Sequence, residues 1–240
     1  MSSMRLGIVG GMGPMATSMF FERILERTEA NSDQEHIDIV ILNHASMPDR
    51  TKAILSGEYD DFLNKMREDL ELLERIGVSN IAIPCNTSHF FMKQMVEMTS
   101  VPIIDMVNET AGEVLSRYGN GTRVGILATN GTIHTGTYEH ACEAVDLVFI
   151  KPEPELQEKV MQIIYDIKAD LPVDVMAFEA IVRHMVDEMH CECVILACTE
   201  LSLIKIGAEA AMFCIDAMDV LIEKAILYSG KQIKGKPIKP

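Results

Sequence analysis

The sequence predicts an α/β protein of two similar lobes, each a four-stranded parallel sheet flanked by helices, the two related by pseudo-twofold symmetry. Three observations predict it. Short apolar, β-branched runs alternate with longer amphipathic segments, the pattern of βαβ units. The strand-like runs are continuously apolar, as expected of strands covered by helices on both faces. Three stretches of the first half return in the same order in the second.

In chain order the candidate strands are Leu6–Val9, Ile37–Leu42, Asn80–Ile83, Val101–Ile104, Arg123–Leu127, Leu147–Ile150, Cys193–Leu196 and Met212–Ile215. Gly10-Gly-Met-Gly-Pro14 after the first reads as a tight strand-to-helix turn. The segment Asp60–Ile76 is helical by pattern, with Phe62, Leu63, Met66, Leu70 and Leu73 on one stripe and Lys65, Arg67, Glu68 and Glu71 on the other. Cys85 follows the third strand, and Asn86-Thr-Ser-His89 reads as the opening of a helix to about Met98, capped by Thr87 or Ser88. Cys198 follows the seventh, with Thr199-Glu200 opening another helix. A last helix, Asp219–Tyr228, returns to the first lobe, and the Lys-rich tail from Lys231 reads as loose.

The repeat pairs Arg5-Leu-Gly-Ile-Val-Gly-Gly-Met-Gly with Arg123-Val-Gly-Ile-Leu-Ala-Thr-Asn-Gly, 118 positions later. Ile83-Pro-Cys85-Asn-Thr87 pairs with Leu196-Ala-Cys198-Thr199 at 113, and Ile103-Ile-Asp105-Met with Cys214-Ile-Asp216-Ala at 111. The expected lobes are therefore 1–106 plus 218–240, and 107–217. Ligands of open α/β sheets bind beyond the carboxyl ends of the strands. Cys85 and Cys198 both fall there, so each lobe is expected to project one thiol into a shared cleft.

Charge narrows the partners. The 240 residues hold 21 Lys plus Arg against 36 Asp plus Glu, and four of the lysines lie in the last ten residues. Such an acidic body repels nucleic-acid phosphates and anionic lipid, and argues against either partner. An anionic small molecule would need local cations. Six cysteines without a disulfide-scaffold spacing fit a reducing, cytoplasmic setting. The uncharged run Leu6–Phe21 has 16 residues, short of the ~20 of a membrane helix, and its glycines break it. The start is read as a native amino terminus rather than a leader.

Two thiols facing one bound carbon suit removal of a proton from one face and delivery of a proton to the other. A free thiol titrates near ~8.5, close enough to neutrality for one to act as base and one as acid. This chemistry needs neither metal nor pyridoxal, provided fixed donors stabilise the carbanion. Backbone N–H groups at the helix starts would favour a thiolate and cradle a carboxylate.

Gly10-Gly-Met-Gly-Pro14, Pro48-Asp-Arg50-Thr, Pro84-Cys-Asn-Thr-Ser-His89, Leu127-Ala-Thr-Asn-Gly-Thr132 and Ala197-Cys-Thr-Glu-Leu201 together resemble the aspartate/glutamate racemase family, in its aspartate-racemase branch. The resemblance runs from Leu6 to about Tyr228. It implies a cofactor-independent two-base racemase, a homodimer, acting on a small dicarboxylic amino acid, aspartate or glutamate. Carried across residue by residue, Cys85 and Cys198 match the catalytic cysteines. Asn86, Thr87 and Thr199 match groups holding the α-carboxylate, and Arg50 and Lys168 match positions associated with the distal one. Ser88, Asn130, Thr132 and Glu200 belong to the same motifs and join the expected substrate-binding set. Glu200 stands where the related glutamate racemases carry His, which favours the aspartate branch. Ala197 stands where many relatives have Gly. Cys85, which some relatives replace by Thr, implies turnover of both enantiomers. Hydantoin racemase, maleate isomerase and a non-catalytic amino-acid sensor are the alternatives.

Two other patterns are set aside. Gly11-Met-Gly13-Pro-Met-Ala16 matches a dinucleotide fingerprint, but no acidic residue ends the second strand to take a ribose. His190-Cys191-Glu192-Cys193 lacks the second Cys pair of a four-ligand metal site. No cofactor and no metal is expected. His89 is read as support for the Cys85 loop or as a structural histidine.

Overall fold

A computed structural model describes residues 4–235. The strands are β1 (Leu6–Gly10), β2 (Ile39–Asn43), β3 (Asn80–Ala82), β4 (Arg123–Ala128), β5 (Val148–Ile150), β6 (Cys193–Ala197) and β7 (Cys214–Asp216). In the first half the helices are α1 (Pro14–Arg27), α2 (Arg50–Ser56), α3 (Asp60–Ile76), α4 (Met92–Val96) and α5 (Met106–Tyr118). In the second they are α6 (Asn130–His134), α7 (Thr137–Glu143), α8 (Pro154–Lys168), α9 (Val175–Asp187), α10 (Ala208–Ala211) and α11 (Ala217–Tyr228). Among the described residues no helix is long and apolar enough to cross a membrane.

The strands form two parallel sheets, in the orders β2-β1-β3 and β5-β4-β6-β7. Leu6 sits opposite both Ile39 and Asn80, and Val124 opposite Cys193, so each half places its first strand at the centre. The expected α/β two-lobe class is observed, with one difference in the first sheet. Val101–Ile104 contributes a single parallel bridge, Ile103 to Ile81, in place of a fourth strand. Pro102 has no amide to extend the ladder. At the other end Asp105 turns the chain into α5 by accepting from the Val107 and Asn108 amides at 3.1 Å. Its counterpart in the repeat, Asp216, caps α11 by accepting from the Met218 amide at 2.9 Å. The third repeat pair thus marks two helix N-caps, which satisfy otherwise orphaned amides.

Period-two alternation sorts the core. Leu6 and Ile8 of β1, Val124 and Ile126 of β4, and Cys193 and Ile195 of β6 join Phe20 of α1, Val114 of α5 and Leu221 of α11 in one continuous cluster. The opposite faces are covered separately. Val9 packs with Phe62, Met66, Leu70 and Leu73 of α3, while Leu127, Val194 and Leu196 pack with Val160 and Ile164 of α8 and Phe178 of α9. Helix α3 follows the expected bounds and stripe. The final helix α11 touches α1 and α5 as well as β3, β6 and β7, drawing both halves together. Continuous burial holds for β1, β3 and β6, while the edge strands β2 and β5 are partly exposed. The tail expected to be loose from Lys231 is instead held as far as Lys234, where Ile233 bridges to Thr28 and the Lys234 amide donates to the Arg27 carbonyl at 2.8 Å; residues after Gly235 lie outside the described residues.

Candidate active site

Beyond the carboxyl ends of the sheets lies a cleft enclosing about 290 Å3 of empty space, counted to its open mouth. Its walls bring together residues far apart in sequence: Arg50, Cys85, Asn86 and Thr87 from the first half, and Lys168, Cys198, Thr199 and Glu200 from the second. Met12, Asp49, Thr51 and Thr129 complete the lining. Larger depressions elsewhere on the surface carry neither thiol.

The two cysteine loops differ from the expected helix starts. After Cys85 the chain makes a 3-10 turn, Asn86–Phe91, before the short α4, with no side-chain cap. After Cys198 it makes only the 3-10 turn Leu201–Leu203. Neither turn offers the aligned amide dipoles of a long helix. Thr87 does not cap: its Oγ1 lies 3.0 Å from Thr129 Oγ1 and 3.1 Å from Thr132 Oγ1, themselves 3.1 Å apart. Thr129 caps α6, so this buried hydroxyl triangle ties the Cys85 loop to the second half. Gly131 permits the approach, because a Cβ there would stand 3.0 Å from the Thr51 Cα and 3.1 Å from the Thr87 methyl.

His89 holds the Cys85 loop from behind. The Met106 amide donates to its Nε2 at 3.1 Å, which leaves Nδ1 to donate to the Cys85 carbonyl at 2.9 Å. His89 is thereby fixed between β3 and α5, and it does not line the cleft.

Buried donors without partners mark where a ligand could bind. Arg50 is 8 % exposed, and its guanidinium donates to the Pro48 carbonyl at 2.9 Å and the Met12 carbonyl at 3.1 Å. Its Nε is buried with no partner, and so is Asn86 Nδ2. Buried donors are almost always satisfied, so an orphan on each of two residues that line the cleft calls for an acceptor. The amide of Asn86 is oriented by Tyr138 of α7, whose phenol donates to Asn86 Oδ1 at 2.5 Å. Burial holds that phenol well above its ordinary value, so it remains a donor.

On the opposite wall, Cys198 Sγ donates to Glu200 Oε2 at 2.9 Å, and Glu200 Oε1 lies 3.5 Å from Lys168 Nζ. Burial first, and the Glu200 charge second, push the Cys198 thiol well above its ordinary value, against the pull of Lys168. The expected thiolate stabilisation is therefore reversed at Cys198, where burial and then the facing carboxylate disfavour the charge and no helix start offsets them. Burial draws Lys168 down, but Glu200 and the neighbouring thiols outweigh it and hold the ammonium above its ordinary value.

Three of the expected binding residues stand off the cleft. Ser88 is fully buried, and its hydroxyl donates to the Met12 sulfur at 3.4 Å. Asn130 is exposed and accepts from Gln157 Nε2 at 2.8 Å. Thr132 is buried behind Thr87. Met12, Asp49, Thr51 and Thr129 lie outside the expected set although all stand inside the quoted motifs, the last three directly beside Arg50 or Asn130. Tyr138 carries no local sequence signal, since its partner is 52 positions away.

Residues 9–225 match the family described as Asp/Glu/Hydantoin racemase. Over 227 residues the chain is 26% identical to the broad-specificity amino-acid racemase RacX of Bacillus subtilis, covering 92% of this chain and 96% of that protein. The structure is similar to that of Picrophilus torridus aspartate racemase, with a TM-score of 0.80 and 29% identity over 96% of each chain. An aspartate racemase homologue from Pyrococcus horikoshii shares the fold at a TM-score of 0.76 and 22% identity, over 95% of this chain and 99% of that one.

Proposed function

The chain belongs to the Asp/Glu/hydantoin racemase family, and from that premise we propose that it interconverts L- and D-aspartate, with glutamate as the second candidate substrate. The observation that carries this reading is the convergence of two thiols from matching positions of the repeat with two cations, Arg50 and Lys168, in one cleft. An amino acid bearing a second carboxylate uses both features, whereas a neutral ring would leave Arg50 without an anionic partner among the described residues. The likeness to Picrophilus torridus aspartate racemase supports the same substrate class.

In this reading, Arg50 and Lys168 receive the side-chain carboxylate by charge-assisted hydrogen bonds. Asn86, Thr87 and Thr199 hold the α-carboxylate, with Asn86 Nδ2 as one of its donors. One cysteine as thiolate removes the α-proton, and the other, as thiol, protonates the opposite face. For the other enantiomer the roles exchange. Neither metal nor pyridoxal takes part, and the hydrogen bonds to the carboxylates stabilise the planar carbanion. The working unit is proposed as a cytoplasmic homodimer whose lobes comprise residues 1–106 with 218–240, and 107–217.

Chiral chromatography of aspartate and glutamate incubated with chelator-treated, pyridoxal-free protein tests this. Conversion of each aspartate enantiomer to the other is the expected result. Turnover of a hydantoin or maleate instead, or binding of aspartate without inversion, would replace the reading.

A further inference from the structure

Resting on that reading, one contact in the cleft is not explained by substrate binding: the hydrogen bond from Cys198 to Glu200. We propose that Glu200 is the proton partner of Cys198, held idle by Lys168 and released to act when the side-chain carboxylate of the substrate draws Lys168 away. Glu200 then acts through Cys198 as a positioning residue, rather than as the substrate-binding residue its motif suggests.

The geometry supports each part. Glu200 is 4 % exposed, so its carboxylate has little water to lean on. Oε2 accepts from Cys198 Sγ at 2.9 Å, while Oε1 faces Lys168 at 3.5 Å. The same oxygen stands against Gly13, the N-cap of α1, at 3.2 Å from where a Cβ would be. A side chain at Gly13 would crowd the carboxylate. Among the described residues, the charged and titratable groups lining the cleft are Asp49, Arg50, Cys85, Lys168, Cys198 and Glu200. Asp49 is spent on capping α2 through the Lys52 amide. Of the two cleft thiols, only Cys198 is hydrogen-bonded to a carboxylate among the described residues.

A buried carboxylate that loses its cation becomes a stronger base, because an unpaired buried charge is costly. The nearest proton is on Cys198. Transfer breaks the S–H bond and forms an O–H bond, giving the Cys198 thiolate and neutral Glu200. That thiolate takes the α-proton of one enantiomer, while the Cys85 thiol protonates the opposite face. The enzyme then holds a Cys85 thiolate and a protonated Glu200, and solvent exchange after product release returns a proton to Cys85 and removes one from Glu200. In the other direction solvent exchange first removes the Cys85 proton and protonates Glu200. The Cys85 thiolate takes the α-proton, Cys198 gives its proton to the opposite face, and Glu200 restores it, returning to the carboxylate. The two thiols are thus chemically unequal, although they occupy matching places in the repeat.

The test compares wild type with Glu200→Gln, which keeps the shape but accepts no proton from a thiol. In the substrate-free protein, iodoacetamide should alkylate Cys198 faster in the variant, because the like charge beside the thiol is gone. In turnover of aspartate near neutral pH, kcat should fall by about 100-fold, the usual scale of a lost proton-transfer partner. KM should stay level or drop, since substrate no longer competes with Glu200 for Lys168. The kcat deficit should shrink at alkaline pH as hydroxide deprotonates Cys198 directly. Glu200→Asp keeps the charge but shortens the reach to Sγ, and should lower kcat with the same pH dependence. A raised KM with kcat preserved would overturn the proposal in favour of direct substrate binding. An equal kcat loss at every pH with unchanged alkylation would overturn it in favour of a packing role. If wild type racemises no acidic amino acid, the racemase reading falls first and takes this proposal with it.

Discussion

Tyr138 donates a 2.5 Å hydrogen bond to Asn86 Oδ1, so a phenol on α7 of the second half fixes the amide beside Cys85 in the first. With Oδ1 occupied, Nδ2 is left as the free donor on the cleft wall. Tyr138→Phe should let the amide rotate and raise KM for aspartate about tenfold, the equivalent of one hydrogen bond near ~1.4 kcal/mol. Steady-state kinetics read this directly. An unchanged KM would mean that Asn86 does not hold substrate.

Lys168→Met removes the cation that faces Glu200 and, in the proposed function, the substrate's side chain. A charge-assisted bond is worth about 1.5–3 kcal/mol, so KM for aspartate should rise about 10- to 100-fold. Any turnover of alanine should keep its KM, because alanine has no second carboxylate. A parallel rise for both amino acids would place Lys168 outside the specificity of the site.

Gly131→Ala puts a Cβ 3.0 Å from the Thr51 backbone and 3.1 Å from the Thr87 methyl. The contact is too tight unless α6 moves away from α2, and overpacking of this kind costs about 1–3 kcal/mol. Thermal unfolding should show the loss, and kcat/KM should fall further because the shift also disturbs Thr87 and Thr129. Full activity with wild-type stability would show that the two halves are not held at this point.

Asp216 is pushed up to about 6, first by burial and then by the charge of Asp219, although Arg23 and the Ser202 hydroxyl oppose the shift. The folded protein therefore binds this proton more tightly than the unfolded chain, whose Asp titrates near 3.8. The resulting stabilisation is complete below about pH 4 and is lost as pH rises towards 6. Urea unfolding of wild type and Asp216→Asn at pH 4 and pH 7 should show the variant gaining on wild type at the higher pH. A constant difference between the two would contradict the shift.

Much of this arrangement is legible in the sequence because its signals are local. The β1 and β6 runs are apolar throughout, β4 is apolar after Arg123, and α3 shows its stripe within one window. The cysteines sit at the ends of such strands, where a parallel sheet presents its ligands. What escaped depends on contacts across the chain or on a single atom. Pro102 and the Asp105 cap leave one bridge where an apolar run suggests a strand. Thr87 spends its hydroxyl on Thr129 and Thr132 rather than on a cap, a choice made by residues over 40 positions away. Ser88 and Asn130 share motifs with cleft residues, yet the turn of the chain points one inward to Met12 and the other out to solvent. The charge of Glu200 was visible, but its reach back to Cys198 was not.

Proton exchange at the α-carbon in D2O tests whether Cys85 and Cys198 work as a pair of opposed bases. L- and D-aspartate would each be incubated with wild type, Cys85→Ser and Cys198→Ser, following α-proton loss by NMR and configuration by chiral chromatography. Wild type should exchange and invert both enantiomers, and each Ser variant should lose inversion by at least about 1000-fold while remaining folded. Inversion at wild-type rates by both Ser variants would contradict that pairing of bases.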